Sequence, residues 1–252
     1  MTAAAVIPHP MPPPPAADPG VRAAVLYSLG GDLRFLSHRD ELRMLARAMT
    51  RAAWPLRYSK GYNPQPRIAL PLPRSVGMAS DCQWALADLD PPADSGSLAS
   101  ALARQLPAGI EPSRVACPVS RHTPHAVLVE YRVRLHPEHI EAVRVGITPL
   151  LGARQRVIER VSRRRPDGIP VDLRRFLEGA WLEDDVLGLR LRIEKQCTVK
   201  PTEIIAELGL PPDAYRHRVC RVQVVWDKPP EAPPGPPATK EGTSFGHQES
   251  ST

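Results

Sequence analysis

Long apolar runs are missing from this 252-residue chain. No window approaches the roughly eighteen consecutive apolar residues of a transmembrane helix, so no membrane span is expected. The start lacks a basic segment followed by a sustained apolar one, which argues against a secretory leader and for the cytoplasm. The four cysteines, Cys82, Cys117, Cys197 and Cys220, show no CxxC or CxxxCxxC spacing. Nothing local therefore points to zinc or an iron–sulfur cluster, and reduced, buried or idle thiols are expected. A His-x-x-x-His pair, a Gly-x-Ser-x-Gly elbow, a G-x-x-x-x-G-K-[ST] loop and a G-x-G-x-x-G fingerprint are all lacking. Nucleotide hydrolysis, dinucleotide chemistry and metal-dependent hydrolysis thus have no local support.

Proline and arginine are abundant. Of 31 prolines, seven fall in the first twenty positions and six in "KPPEAPPGPP" at 228–237. Those ends lack periodic apolar residues, and burial there cannot offset the entropy of ordering. The expectation is a disordered tail at 1–20, an ordered region at 21–228 and a second disordered tail at 229–252. Between Val21 and Lys228, 32 basic residues stand against 23 acidic ones. Most of the cations are arginine, whose planar fork suits phosphate. A nucleic-acid partner accounts for this bias; so does arginine-favouring codon usage, and composition does not separate the two.

Within the ordered region the pattern repeats. "RAAVLYSLGG" reads as a strand ending at a Gly-Gly turn. A helix follows, with Ser37 as N-cap, Asp40 completing a short capping box, and Glu41 facing the dipole of the first turn. Leu42, Leu45, Met49 and Ala53 supply its buried face, and Pro55 prevents its continuation. "LRYS" and "RIALPLP" are short strand candidates, "CQWALADLD" a longer strand, "SLASALARQL" a helix and "IEPSRVACPV" a closing strand. A second round begins near His125 with "AVLVEYRVRL", then a helix from Pro137 and the strands "RQRVIERVS" and "DVLGLRLRIEK". An irregular excursion, "RRRPDGIPVDLRRFLEGAWLED", separates those two strands. A short helix, "KPTEIIAELGL", and the strand "HRVCRVQVVWD" complete the round. The rhythm predicts an α+β protein of two tandem ferredoxin-like (βαββαβ) halves, 21–120 and 121–228, joined near 118–125.

Three constellations carry possible chemistry. Arg39, Arg43, Arg47 and Arg51 recur every fourth residue and make one slanting stripe on the first helix. Like charges at this spacing cost a few tenths of a kcal/mol per pair, which phosphates would relieve; a solvated face is the alternative. The loop "YSKGYNPQPR" offers Tyr58 and Tyr62 for base stacking, Asn63 for hydrogen bonds, and Lys60 and Arg67 for charge. Gly61 permits an unusual backbone, and Pro64 and Pro66 stiffen it. This mixture suits single-stranded or looped RNA; a structural turn whose tyrosines cap the core is the alternative. Stripe and loop are expected to form one continuous cationic surface. Third, "GGDLRFLSHRD" brings Asp32, Arg34, Ser37, His38 and Asp40 nearby, with His38 a candidate general base. "RRRPDG" at 163–168 is a further basic turn.

The stretch from Tyr27 to Ser80 resembles the radical-SAM-linked proteins, the bacterial DUF2344 family. The shared elements are Gly31-Asp32-Leu33-Arg34-Phe35 with Ser37-His38 and Asp40, then Ser59 with Gly61-Tyr62-Asn63-Pro64 and Pro66. Leu29 stands where the family commonly has lysine, Gln65 where it has histidine and Arg67 where it has lysine. The resemblance implies a separate radical SAM partner that carries the iron–sulfur cluster and S-adenosylmethionine, with no cofactor in this chain. The leading expectation is a non-catalytic accessory subunit that binds or presents RNA for modification or processing. Two other readings stay open. One is a metal-independent endoribonuclease similar in outline to the CRISPR-repeat-processing enzymes, with His38 acting beside Tyr27 or Lys60. The other is a protein-only scaffold whose arginines meet an acidic partner.

Overall fold

The computed structural model describes residues 20–162, 165–195 and 197–229. The expected tails, apart from Gly20 and Pro229, and the first residues of the basic turn, Arg163 and Arg164, lie outside the described residues. The first half runs β1 (Val21–Leu29), a 3-10 helix (Gly31–Phe35), α1 (His38–Arg51), β2 (Ile68–Ala69), β3 (Ala79–Leu89), α2 (Ser95–Ala103) and β4 (Ile110–Val119). The second runs β5 (Ala126–Arg134), α3 (Ile140–Gly152), β6 (Val157–Ser162), β7 (Arg165–Asp172), α4 (Leu173–Phe176), β8 (Leu177–Glu183), β9 (Val186–Arg192), α5 (Pro201–Glu207), α6 (Pro212–Tyr215) and β10 (Val219–Trp226).

One mixed sheet of eight strands spans both halves in the order β4-β1-β3-β10-β5-β9-β8, with β2 paired to β3. The seam is a short parallel contact in which Cys220 and Arg221 of β10 meet Ala79 and Ser80 of β3. Alternation explains the core. Ala23, Val25, Tyr27 and Leu29 of β1 and Ala85, Ala87 and Leu89 of β3 pack under Leu45, Ala48 and Met49 of α1 and Leu98 and Leu102 of α2. In the second half, Val129, Tyr131 and Val133 of β5 and Leu187, Leu189 and Leu191 of β9 pack under Val143 and Ile147 of α3 and Ile204 and Ile205 of α5. Met78, just ahead of β3, belongs to this second core.

Three expectations change. The supposed irregular excursion contains two strands and a helical turn. β6 pairs only with β7 in a separate two-stranded ribbon, where no flanking strand needs the amides that Pro166 and Pro170 lack. β8 then joins the main sheet as its edge, with Trp181 lying so close over Gly188 that no Cβ would fit there. Second, "LRYS" and "RIALPLP" shrink to isolated bridges at Leu56 and Tyr58 and the two-residue β2, because the surrounding prolines remove ladder donors. Third, the buried face of α1 is Glu41, Leu45, Ala48 and Met49. Leu42 is only partly covered, and Ala53, past the helix end at φ +55°, is exposed.

Candidate functional site

The segment before α1 is built to hold a fixed shape. Gly31 sits at φ +56°, a left-handed conformation open to glycine at little strain. Ser37 caps α1: its Oγ accepts from the Asp40 N–H at 3.2 Å and donates to the Asp40 carboxylate at 2.7 Å. Arg34 donates through Nε to the Gly31 carbonyl at 2.7 Å and through Nη1 to the His217 carbonyl at 2.6 Å. Arg34 therefore ties the two halves together, in addition to any ligand it meets.

Beneath this segment lies a buried ion pair. The Arg74 Nε is 3.1 Å from Glu41 Oε2, both side chains 1% exposed. The Tyr27 hydroxyl donates to Glu41 Oε1 at 2.7 Å. Arg74 also donates to the carbonyls of Leu33 (3.0 Å), Leu36 (3.2 Å) and Arg34, stapling the 3-10 helix from below. Burial first, and then the Glu41 charge, hold the Tyr27 phenol well above its usual range. Glu41 thus serves the core rather than the helix dipole. The spacing Glu41, Leu45, Met49 places its carboxylate on the apolar face, where a buried charge demands a partner. Nothing local names that partner, because Arg74 is 33 residues away and stands in a proline-rich loop.

The arginine row is different in kind. Arg39, Arg43, Arg47 and Arg51 are all exposed. Arg43, Arg47 and Arg51 line a groove of about 450 Å³ with Leu36, Asp40 and Met44, closed on the far side by Gln105, Leu106 and Pro107 of the α2–β4 turn. Arg43 lies 3.4 Å from Asp40 in a solvent-facing pair. Arg51 donates to the carbonyl and side-chain oxygens of Gln105 at 2.8 and 3.2 Å. For the side chains of Arg39 and Arg47 no hydrogen bond or ion pair occurs among the described residues.

The loop at 58–67 is a narrow ribbon with a bare tip. The Arg67 N–H donates to the Arg57 carbonyl, Tyr58 bridges Pro66, and the Ser59 and Gln65 amides bond reciprocally to the Gln65 carbonyl and the Ser59 Oγ. Gly61 turns the tip at φ +138°. Tyr62 is fully solvent-exposed and Tyr58 is 46% exposed, so neither tyrosine caps the core. Lys60, Asn63 and Arg67 are exposed as well, with the Asn63 Oδ1 accepting from Gln65 at 3.3 Å. The ribbon hangs from β3 through bonds between Asp88 and both Arg57 and Arg67, on the side of β1 away from β4. The arginine groove opens beside the turn into β4, and no loop residue lines it. The loop and the arginine groove are therefore two separate features rather than one shared lining.

A family model described as "Uncharacterized protein conserved in bacteria (DUF2344)" matches residues 22–204. The chain belongs to the DUF2344 family. The matched range contains the arginine row, the loop and the Tyr27–Glu41–Arg74 triad. A search of curated proteins finds no match.

Two further placements bear on the chemistry of this DUF2344 chain. His38 and Asp32 are exposed, and for the His38 side chain no hydrogen bond or ion pair occurs among the described residues. Tyr27 is 0% exposed, so it cannot face a substrate beside His38; Lys60, the other partner considered for His38 in the endoribonuclease reading, is exposed. Among the described residues no group of three or more His, Cys, Asp or Glu is arranged to hold a metal ion. All four cysteines are free. Burial, with Asp81 next, pushes the Cys220 thiol up to about 12, and burial raises Cys82 as well, so neither supplies a reactive thiolate near neutral pH. No helix among the described residues is long and apolar enough to cross a membrane.

Proposed function

We propose that this DUF2344 chain is a non-catalytic, cytoplasmic subunit that binds single-stranded or looped RNA and presents it to a separate radical SAM enzyme. The observation that carries the RNA part is the groove along α1, where three guanidinium groups share a space with a single carboxylate, Asp40. Such a surplus of forked donors fits phosphate oxygens. The bare tyrosine at the loop tip supports base stacking at a second contact. The radical SAM part rests on the resemblance carried by the motifs at 31–40 and 59–66; the iron–sulfur cluster and S-adenosylmethionine would belong to that enzyme. We also read each half as ferredoxin-like. The strand orders β4-β1-β3-β2 and β10-β5-β9-β8 support this, since both follow one pattern with the ribbon β6–β7 inserted in the second.

The test is titration of single-stranded RNA oligonucleotides by anisotropy across a salt series. Replacing Arg43 and Arg47 together by Ala should weaken binding uniformly across sequences. It should also flatten the plot of log affinity against log salt by about 1.4, about 0.7 for each lost phosphate contact. Unchanged affinity and slope would remove the groove from the reading. RNA cleavage that disappears in His38→Ala with affinity intact would replace it by the endoribonuclease reading. Recovery of a radical SAM protein on pull-down from native cells tests the partner.

A further inference from the structure

The family-motif residue Arg34 lines a second cationic site at the seam between the halves. A pocket of about 300 Å³ is bordered by Arg34, Arg134, His217, Arg218, Ala79 and Cys220. Its cationic groups come from three parts of the chain: the 3-10 helix, the end of β5, and the turn leading into β10. Carboxylates do not balance them. Asp185 pairs with Arg134 at 3.2 Å in a solvent-facing contact, and Asp81 stands against the Cys220 thiol. The Arg218 Nε is buried and has no hydrogen-bond partner among the described residues. A guanidinium N–H shielded from water and left unpaired carries a desolvation penalty, which negative charge bound nearby would offset.

The pocket is also held rigidly. Arg34 is anchored through Nε and Nη1 to the Gly31 and His217 carbonyls, which leaves its Nη2 donors available. Arg74 fixes the backbone of the same 3-10 helix from below. Arg218 is held by its own N–H to the Tyr215 carbonyl, and its carbonyl accepts from the Arg134 N–H at 3.4 Å. The Arg34 fork, fixed before binding, loses little entropy when a tetrahedral anion arrives.

We propose that this seam pocket binds a phosphate group, with Arg34, Arg134 and Arg218 as its guanidinium donors. The ligand is a terminal phosphate, either the 5′ end of an RNA or a small free phosphate. The site stands independently of the groove along α1, since it needs no polynucleotide. The test uses inorganic phosphate against chloride of equal ionic strength, read by thermal shift and calorimetry. In parallel, one single-stranded RNA is compared with and without a 5′-phosphate. Phosphate should raise the melting midpoint of the wild-type chain, and Arg218→Gln should weaken its binding about tenfold or more, as expected for a lost charge-assisted bond. Arg134→Gln, at a 69% exposed side chain, supplies the same readout if the Arg218 variant folds poorly. A 5′-phosphate preference that survives Arg43→Ala/Arg47→Ala but is lost in Arg218→Gln assigns the site to an RNA end. A response to inorganic phosphate without that preference assigns it to a small phosphate. No phosphate-specific response in the wild-type chain, or equal responses in wild type and both variants, overturns the proposal.

Discussion

Arg74 and Arg221 differ from Arg43 and Arg47 in everything except chemistry. Arg221, 2% exposed, directs its guanidinium to the Leu72 carbonyl (3.1 Å), the Ser80 Oγ (3.4 Å) and the Gln83 amide oxygen. Arg74 pairs with Glu41 and staples the 3-10 helix. Arg43 and Arg47 lie on the surface of α1 over a groove with little to bind within the protein. The first pair consumes its hydrogen-bonding capacity in holding loops and strands; the second leaves it facing solvent. A count of arginines therefore says little about a polyanion partner until each guanidinium is traced to its acceptors.

The most severe break in this contrast is Arg74→Met. It strands the Glu41 carboxylate in the core, and urea denaturation should show a loss of about 3–5 kcal/mol. Adding Glu41→Leu to that variant should restore part of it, whereas Arg47→Met should stay within about 0.5 kcal/mol of wild type. A comparable loss at both arginines would erase the distinction. Next, Tyr62→Ala should leave stability untouched because the side chain is fully exposed. It should reduce RNA affinity by about 1–3 kcal/mol if a base stacks there; unaltered affinity would take the loop out of the contact.

Alkaline pH sharpens the same comparison from the side of the buried groups. The folded chain holds the Tyr27 phenol and Cys220 thiol protons more tightly than an unfolded chain does. Their contribution is complete below the ordinary thiol value of about 8.5 and is lost as pH rises through the folded range. Melting midpoints should therefore fall from about pH 9 upward. Cys220→Ala should flatten the early part of that fall, and the part beginning near the ordinary phenol value of about 10 should persist. A midpoint constant to pH 11 would contradict the placement of both groups. The smallest effect is expected on the row itself. Arg47→Gln should raise stability by a few tenths of a kcal/mol at low salt as repulsion with Arg43 and Arg51 is relieved, and the gain should vanish at high salt.

Much of the fold was legible because two-residue alternation survives wherever one strand face is buried, as in Val129, Tyr131 and Val133. The Ser37 cap was legible for a local reason too, since its partner Asp40 is three residues on. What escaped depends on distant chain segments. Glu41 reads as a first-turn acid until Arg74 is brought against it, and Tyr27 reads as an available phenol until α1 covers it. Arg34 reads as one more surface cation, although His217, on the other half, accepts its hydrogen bond. The β6–β7 ribbon and β8 carry Pro166, Pro170, Gly168 and Gly179, which mimic loop signals. The exposed row and loop were both identifiable from residue type and spacing. Their separation was not, because it follows from which neighbours β1 and β3 take in the sheet.

The parallel seam between β3 and β10 has a consequence for assembly on the ribosome. The strand that completes the middle of the sheet is made some 140 residues after the one it pairs with, as the register of Arg221 with Ser80 records. Until it emerges, Ser80, Gln83 and the Leu72 carbonyl await the guanidinium that will satisfy them. A nascent chain halted at the 120–125 connection would present an open flank with unmet polar groups, the kind of edge that recruits a chaperone or a second copy of itself.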